Sequence, residues 1–553
     1  MERYNVGQTL ADTAARLPDQ LAISFPAGRD WQGKARTTDI TFRALNRLSD
    51  QYAHGLAGYG IAQGDRVLML LKPSIDFIAV IFAVMKTGAV PVIIDPGMGR
   101  QAFLQCVSET EPVAMIGIPI GHVLRKVFPK SFKTIKRNVT AGPRLFWGGA
   151  TLTQLRSNRT DPFIVAPTTL EDEAAVAFTS GSTGIPKGVV YLHGIFKEIV
   201  RILRHEFGIA EKEVHLAGLL IFALFNPALG VTTIIPDFDP RAPAKLNPKY
   251  FVQSIQNHGV TMSIGSPTIF KIVGDYCQAK GIDLPTLKHV YLFGAAVRPG
   301  LIKQFSDLMP NGKVYTPFGA TEALPITCIC EDEILAETGA KSEQGAGVCV
   351  GYPVGDATIR IIPITDYPIE KWDDALSLRP NEIGEIAVKG SVVTRRYLHR
   401  PKETQAAKIY EAEGTVWHRM GDTGYCDAKG RVWVCGRKSH RVETLHGLLL
   451  TVQCEAIFNQ HPQVRRTALV GVGIYGEQEP VIIVEMEPKH KVRRNRAKQK
   501  IIDELLALGA KYDHTKRIKT FLFHDSFPVD VRHNAKIQRE KLADWAKQEL
   551  RKR

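Results

Sequence analysis

Apolar and polar positions alternate between two periods along most of the chain. Residues 9–17 and 42–57 place apolar side chains at the spacing of amphipathic helices. Residues 66–71 and 89–94 are short apolar runs, the second closed by Asp95-Pro96, and predict buried strands. Between them, residues 75–86 are apolar nearly all round and stop before Gly88, which predicts a buried helix with a glycine end. Further short apolar runs at 174–177, 260–264 and 290–293 keep the alternation going. Strands that are apolar on both faces and separated by helices imply parallel sheets covered on both sides. Near Arg437 the rhythm changes. Strands are expected at 431–434, 441–444, 467–471, 481–486 and 519–524, with helices at 452–459 and 498–509. The expected fold class is therefore α/β. Residues 1–436 form a large N-terminal domain of mostly parallel sheets covered by helices. Residues 437–553 form a small, mobile α+β lobe, joined at the hinge Gly436-Arg-Lys-Ser-His440.

Two segments invite other readings. Residues 214–236 carry no formal charge and are long enough to span a bilayer. Gly218, Asn226-Pro227 and Gly230 interrupt them, which favours a buried strand-turn-helix over a membrane helix. Gly471-Val-Gly-Ile-Tyr-Gly476 fits a dinucleotide fingerprint, but Glu477-Gln-Glu-Pro480 and another strand follow where a helix must open. It is expected to be a strand connection, which removes the oxidoreductase class.

Composition narrows the picture further. A chain of 553 residues exceeds one comfortable core. Eight scattered cysteines without a Cys-x-x-Cys fit a reducing cytoplasm rather than a disulfide framework or zinc site. No signal peptide is expected from the polar N-terminus. The net charge is +15. Residues 438–553 hold 23 Lys and Arg against 14 Asp and Glu, an excess of nine in the small lobe. Such a lobe attracts ATP, an anionic membrane surface or nucleic acid. No recognition helix or stacking motif accompanies it, so nucleic acid is not an expected partner.

The chemistry concentrates in Phe178-Thr-Ser-Gly-Ser-Thr-Gly-Ile-Pro-Lys-Gly-Val189. Three glycines, four hydroxyl side chains and a lysine follow an apolar strand, a composition that cradles polyphosphate. It is not a Walker loop. Counting from Gly181, Pro186 stands where the second glycine belongs, and Gly188 stands where a magnesium-holding hydroxyl belongs.

The order of residue types in that loop resembles the phosphate loop of the adenylate-forming superfamily. Four further segments resemble that family's motifs in its order. They are Leu292-Phe-Gly-Ala-Ala-Val297, Phe318-Gly-Ala-Thr-Glu322, His418-Arg-Met-Gly-Asp422 with Gly436-Arg437, and Phe527-Pro-Val-Asp-Val-Arg-His-Asn-Ala-Lys536. Met420 and Ala535 depart from the usual threonine and glycine, and the family's hinge position falls on Ser439.

The resemblance implies the roles. Thr179, Ser180, Gly181, Ser182, Thr183, Gly184 and Lys187 bind phosphate. Gly294, Ala295 and Ala296 border the adenine, and Phe318 and Gly319 belong to the nucleotide site. Thr321 meets phosphate and Glu322 holds magnesium. Asp422 and Arg437 hold the ribose, and Lys536 is the adenylation lysine. Thr179, Lys187, Glu322 and Lys536 form the catalytic set, with ATP and Mg2+ as cofactors.

A carboxylate acylates poorly, and joining it to AMP with release of pyrophosphate supplies a leaving group. Bringing two anions together requires cations around them. Within the superfamily, Phe318-Gly-Ala-Thr-Glu-Ala-Leu-Pro325, Met420-Gly-Asp-Thr-Gly-Tyr-Cys426, Gly436-Arg-Lys-Ser-His-Arg-Val442 and His533-Asn-Ala-Lys-Ile537 most resemble the bacterial olefin-pathway β-lactone synthetases. That resemblance implies a long-chain 2-alkyl-3-hydroxy acid as substrate. Its own hydroxyl then attacks the acyl adenylate, and a tethered nucleophile needs no second substrate. The alternatives are a long-chain acyl-CoA ligase and a non-catalytic relative that binds nucleotide or a membrane through its basic lobe. Other olefin-pathway enzymes are expected partners, and the cytoplasm the expected location. A small residue near Phe222-Ala223 would admit a branched chain. His193 is a candidate base, with a satisfied core histidine the expected reading.

Overall fold

The computed structural model describes residues 2–33, 35–178, 186–240, 242–490, 495–529 and 537–552. Among these, two large sheets dominate. The larger has fourteen strands and runs from Thr358–Ile362 at one edge to Ala35–Thr41 at the other. Its central strands Leu21–Arg29, Thr232–Ile234, Val214–Ala217, Met262–Gly265, His289–Leu292 and Lys313–Ala320 pair in parallel. From Lys313 onward the pairing turns antiparallel, through Ala323–Cys330, Val348–Pro353, Val432–Arg437 and Val416–Cys426. The parallel expectation thus holds for the helix-covered core. It fails beyond Lys313, where the tight turns at 321–322 and 427–431 reverse the chain and long connections add Val348–Pro353 antiparallel to its neighbours.

The second sheet has seven strands in the order Ala150–Thr151, Arg137–Thr140, Ala114–Gly117, Arg66–Leu70, Val90–Ile93, Glu173–Phe178 and Gly188–Leu192. Only its last pair is antiparallel. One hydrophobic cluster joins the two sheets, from Val67 and Ile116 on one to Ile264 and Ile326 on the other. The expected helix Ile75–Lys86 lies within that cluster, with Ile78 through Lys86 all buried. Lys86 ends it inside the protein, and its ammonium donates to Asp50 and Asn46 at 2.7 Å each.

Residues 214–236 fold as the strand Val214–Ala217, two short helical turns and the strand Thr232–Ile234. Among the described residues no helix is long and apolar enough to cross a membrane. Gly471 to Gly476 joins the antiparallel strands Val464–Val472 and Glu479–Met486. These two and Thr520–Phe523 form a three-stranded sheet whose two faces bury clusters drawn entirely from residues 442–546. The sheet meets the rest of the protein at polar points. Arg298 donates to the Arg465 carbonyl at 2.8 Å, and Arg441 pairs with Asp366 at 2.5 Å.

Candidate functional site

The C-terminal ends of parallel strands are where an open α/β sheet leaves a crevice. Gly294, Ala295 and Ala296 follow the strand His289–Leu292 at that end, and Gly294 adopts a φ of 91° that a side chain would resist. The next strand, Lys313–Ala320, carries Phe318 and Gly319 into a turn that presents Thr321 and Glu322 before Ala323–Cys330 returns. A Cβ on Gly319 would stand 2.7 Å from the Ala323 carbonyl, so only glycine lets this turn close so tightly.

A strap of chain ties this turn to the second sheet. Val393 bridges Ala323, and Tyr397 bridges Val189 on the strand that follows the glycine-rich loop. Along the strap, Thr394 donates its amide and its hydroxyl to the Glu322 carbonyl at 2.8 and 2.9 Å. Tyr397 donates its phenol to Glu322 Oε1 at 2.7 Å. Burial, then the Glu322 charge, holds that phenol far above its ordinary value, so it stays a donor. From the other sheet, the Tyr191 hydroxyl donates to the Thr321 carbonyl at 2.5 Å. The second carboxylate oxygen of Glu322 takes no hydrogen bond from the described residues.

Basic side chains gather around this carboxylate. Lys187 places its ammonium 4.9 Å from the centre of the Tyr397 ring. Lys408 is 1% exposed and donates to the Thr394 carbonyl. Burial lowers its amine to about 7, against the pull of Glu322 that raises it. Asp422 and Arg437 are direct partners across two antiparallel strands, with Oδ2 and Nη1 3.3 Å apart, and Arg437 also donates to the Met420 carbonyl at 3.1 Å. His418 sits among all of them. Burial and then Lys408, Lys187 and Arg437 hold its imidazole well below its ordinary value, so it adds no charge.

Beside the turn lies an apolar pocket. Phe222, Phe293, Pro317 and Pro325 line it, with Ile199 and Leu203 from a covering helix. Phe222 packs edge-on against Phe293 at 5.1 Å, and Ala223 is fully buried. Pro317 and Pro325 flank Phe318 and Glu322 in sequence, so the pocket and the carboxylate share one hairpin.

The structure therefore brings together Lys187, Phe318, Gly319, Thr321, Glu322, Asp422 and Arg437. Thr179, Ser180, Gly181, Ser182, Thr183, Gly184 and Lys536 lie outside the described residues. The arms of the glycine-rich loop are described, and Phe178 pairs with Gly188. His193 is no base for this site. It is 1% exposed, its Nδ1 accepts the Val6 amide at 3.2 Å, and burial lowers it to about 4. The sequence reading missed Tyr397, Thr394 and Lys408. Their only signal is a buried-looking lysine in Ala406-Ala-Lys-Ile409, which helical or strand patterning treats as a surface residue.

Magnesium suits this donor set, because it takes one or two carboxylates and completes its shell with phosphate oxygens and water. Glu322 offers one such oxygen, and no cluster of three ligating side chains competes for the metal among the described residues.

The family described as AMP-binding enzyme matches residues 10–398 of this chain. The chain is similar to the olefin beta-lactone synthetase of Xanthomonas campestris pv. campestris, 44% identical with 99% of this chain and 98% of that one covered. It is also 44% identical to the olefin beta-lactone synthetase of Stenotrophomonas maltophilia, over 99% of each. The fold is similar to that of the anthranilate CoA ligase AuaEII in complex with anthranoyl-AMP, with a TM-score of 0.80 at 18% identity over 99% of this chain and 98% of that one.

Proposed function

Because the chain belongs to the family of AMP-binding enzymes, we propose that it activates a long-chain 2-alkyl-3-hydroxy acid with ATP and closes it to a β-lactone. A substrate carboxylate oxygen attacks the α-phosphorus, and pyrophosphate leaves. The 3-hydroxyl oxygen then attacks the acyl carbon, AMP leaves, and the hydroxyl proton passes to solvent or to AMP. The sum is ATP and acid in, and AMP, pyrophosphate and lactone out.

The observation that carries this reading is the shared hairpin. It sets a carboxylate held by Tyr397, with the Lys187 ammonium over the same ring, against a pocket lined by aliphatic and aromatic side chains. The polar half suits a polyphosphate, and the apolar half a hydrocarbon chain. The 44% identity to two β-lactone synthetases across nearly the whole chain supports the product.

The motif resemblance supplies the roles. Lys187 and the glycine-rich loop, residues 179–184, take the phosphates. Asp422 and Arg437 grip the ribose. Gly294, Ala295, Ala296, Phe318 and Gly319 wall the nucleotide, and Thr321 donates to phosphate. Glu322, held by Tyr397 and Thr394, would carry Mg2+, which neutralises phosphate charge when bound. Lys536 would reach the carboxylate and α-phosphate from a mobile lobe, residues 437–553, whose closure excludes water. The eight free cysteines support a reducing cytoplasm, and other olefin-pathway enzymes are the expected partners.

The test omits coenzyme A. A long-chain 2-alkyl-3-hydroxy acid and ATP should yield AMP and a product of acid mass minus water. Lys536→Ala should stop pyrophosphate release while circular dichroism stays unchanged. Turnover that requires coenzyme A and returns a thioester would replace lactone synthesis with ligation.

A further inference from the structure

The small lobe carries one basic excess, and the chain has a second of equal size. Residues 112–160 contain nine Lys and Arg and no Asp or Glu. They include the strands Arg137–Thr140 and Ala150–Thr151, which close one edge of the seven-stranded sheet. The strand that touches the strap at Tyr397, Gly188–Leu192, is the opposite edge. Lys126, Lys130 and Lys133 are exposed, and none makes an ion pair with a described residue. The neighbouring Glu109 is already committed to Arg400 at 2.6 Å.

The same surface turns apolar side chains outward. Ile120 is 59% exposed, Val127 60%, Leu145 60% and Phe146 76%. Ile120 and Val127 are seven residues apart on the helix Pro119–Val127 and share one face. The loop holding Leu145 and Phe146 is fixed beside that helix. Trp147 stacks on His122 with ring centres 5.4 Å apart, and its carbonyl accepts from Arg125 at 3.3 Å. Phe146 meets Trp147 edge-on at 5.3 Å. A held aromatic ring three-quarters in water, beside aliphatic tips and unpaired lysines, is not ordinary surface.

We propose that this face docks the enzyme on an anionic lipid bilayer. Headgroup phosphates match the lysines, and the headgroup–acyl boundary matches Ile120, Val127, Leu145 and Phe146. Nucleic acid would satisfy the lysines and leave the aliphatic tips in water. In one respect the assignment rests on the proposed function, because an acid with two long alkyl arms resides in lipid and is best met there.

Flotation of the full-length protein with vesicles, without substrate, reads the docking alone. The protein should float with phosphatidylglycerol-containing vesicles at low salt and remain in solution with pure phosphatidylcholine. Lys126→Gln, Lys130→Gln and Lys133→Gln together should reduce partitioning about a hundredfold. Leu145→Ser with Phe146→Ser should also weaken it. Both variants should turn over a water-soluble short 3-hydroxy acid at the parent rate. Three outcomes overturn the proposal: no flotation of the parent protein, loss of flotation through Lys498→Gln and Lys500→Gln instead, or binding to duplex DNA and vesicles alike that ignores the Phe146 change. Because no substrate is present, a failed lactone assay leaves these results standing.

Discussion

Replacing Lys408 with methionine should make the protein more stable and less active. The amine is buried at 1% exposure, donates to one backbone carbonyl, and is lowered from 10.5 to about 7. That shift means a folding penalty of about 4 kcal/mol near neutral pH. Methionine removes the penalty but leaves the Thr394 carbonyl without its donor, a cost of about 1–3 kcal/mol. The net is a gain of about 1–3 kcal/mol, or a rise of a few degrees in Tm.

The sign has a pH signature. Between pH 7 and 10.5 the unfolded chain holds a proton that the folded chain has lost, so parent stability climbs with pH. The advantage of Lys408→Met should therefore shrink to about 1 kcal/mol or less by pH 9.5. Activity should move the other way. Thr394 holds the Glu322 carbonyl, and Lys408 donates to the Thr394 carbonyl behind it. Losing such support typically costs about 10–100-fold, expected here in kcat/KM and in the magnesium concentration for half-maximal rate. Differential scanning calorimetry at pH 7 and 9.5, with a pyrophosphate-release assay, reads both. A variant that melts earlier than its parent and turns over at full rate would refute the idea that this buried amine is kept for the site at the expense of the fold.

Three other substitutions probe the same frame. Tyr397→Phe removes the 2.7 Å bond to Glu322 and should lower kcat/KM by about 10-fold or more, with Tm nearly unchanged, read by pyrophosphate release and thermal melting. Gly319→Ala drives a Cβ to 2.7 Å from the Ala323 carbonyl, so nucleotide affinity by calorimetric titration should fall while the protein remains folded. Arg539 donates twice to buried Glu455 at 2.8 Å, three residues after Lys536 in the chain. Arg539→Met should destabilise the lobe by about 3–5 kcal/mol through the unpaired carboxylate. Burial already raises Glu455, and stability carried by its proton is present below about 4.5 and lost as pH climbs through the folded value. Without its cation partner that value rises further, so the urea midpoint of the variant should fall more at pH 8 than at pH 5.

Local patterning determined the helix Ile75–Lys86, the parallel strands, the strand alternation after residue 436 and the reading of Gly471 to Gly476 as a connection. These depend on the period of apolar residues, and the period is written in consecutive positions. The motif residues Lys187, Glu322, Asp422 and Arg437 were equally legible, because each sits in a short segment of distinctive composition. Polar edges were not legible. Ala35–Thr41 is mostly exposed, and Arg539–Arg551 buries only Leu542 and Ala546, so neither shows a full apolar stripe. Tertiary structure alone decided the strap from Val393 to Tyr397, which joins sheets far apart in sequence. It also decided that Lys408 is a core residue. No one-dimensional pattern marks a lysine as buried, since its burial comes from strands and a strap that only folding brings around it.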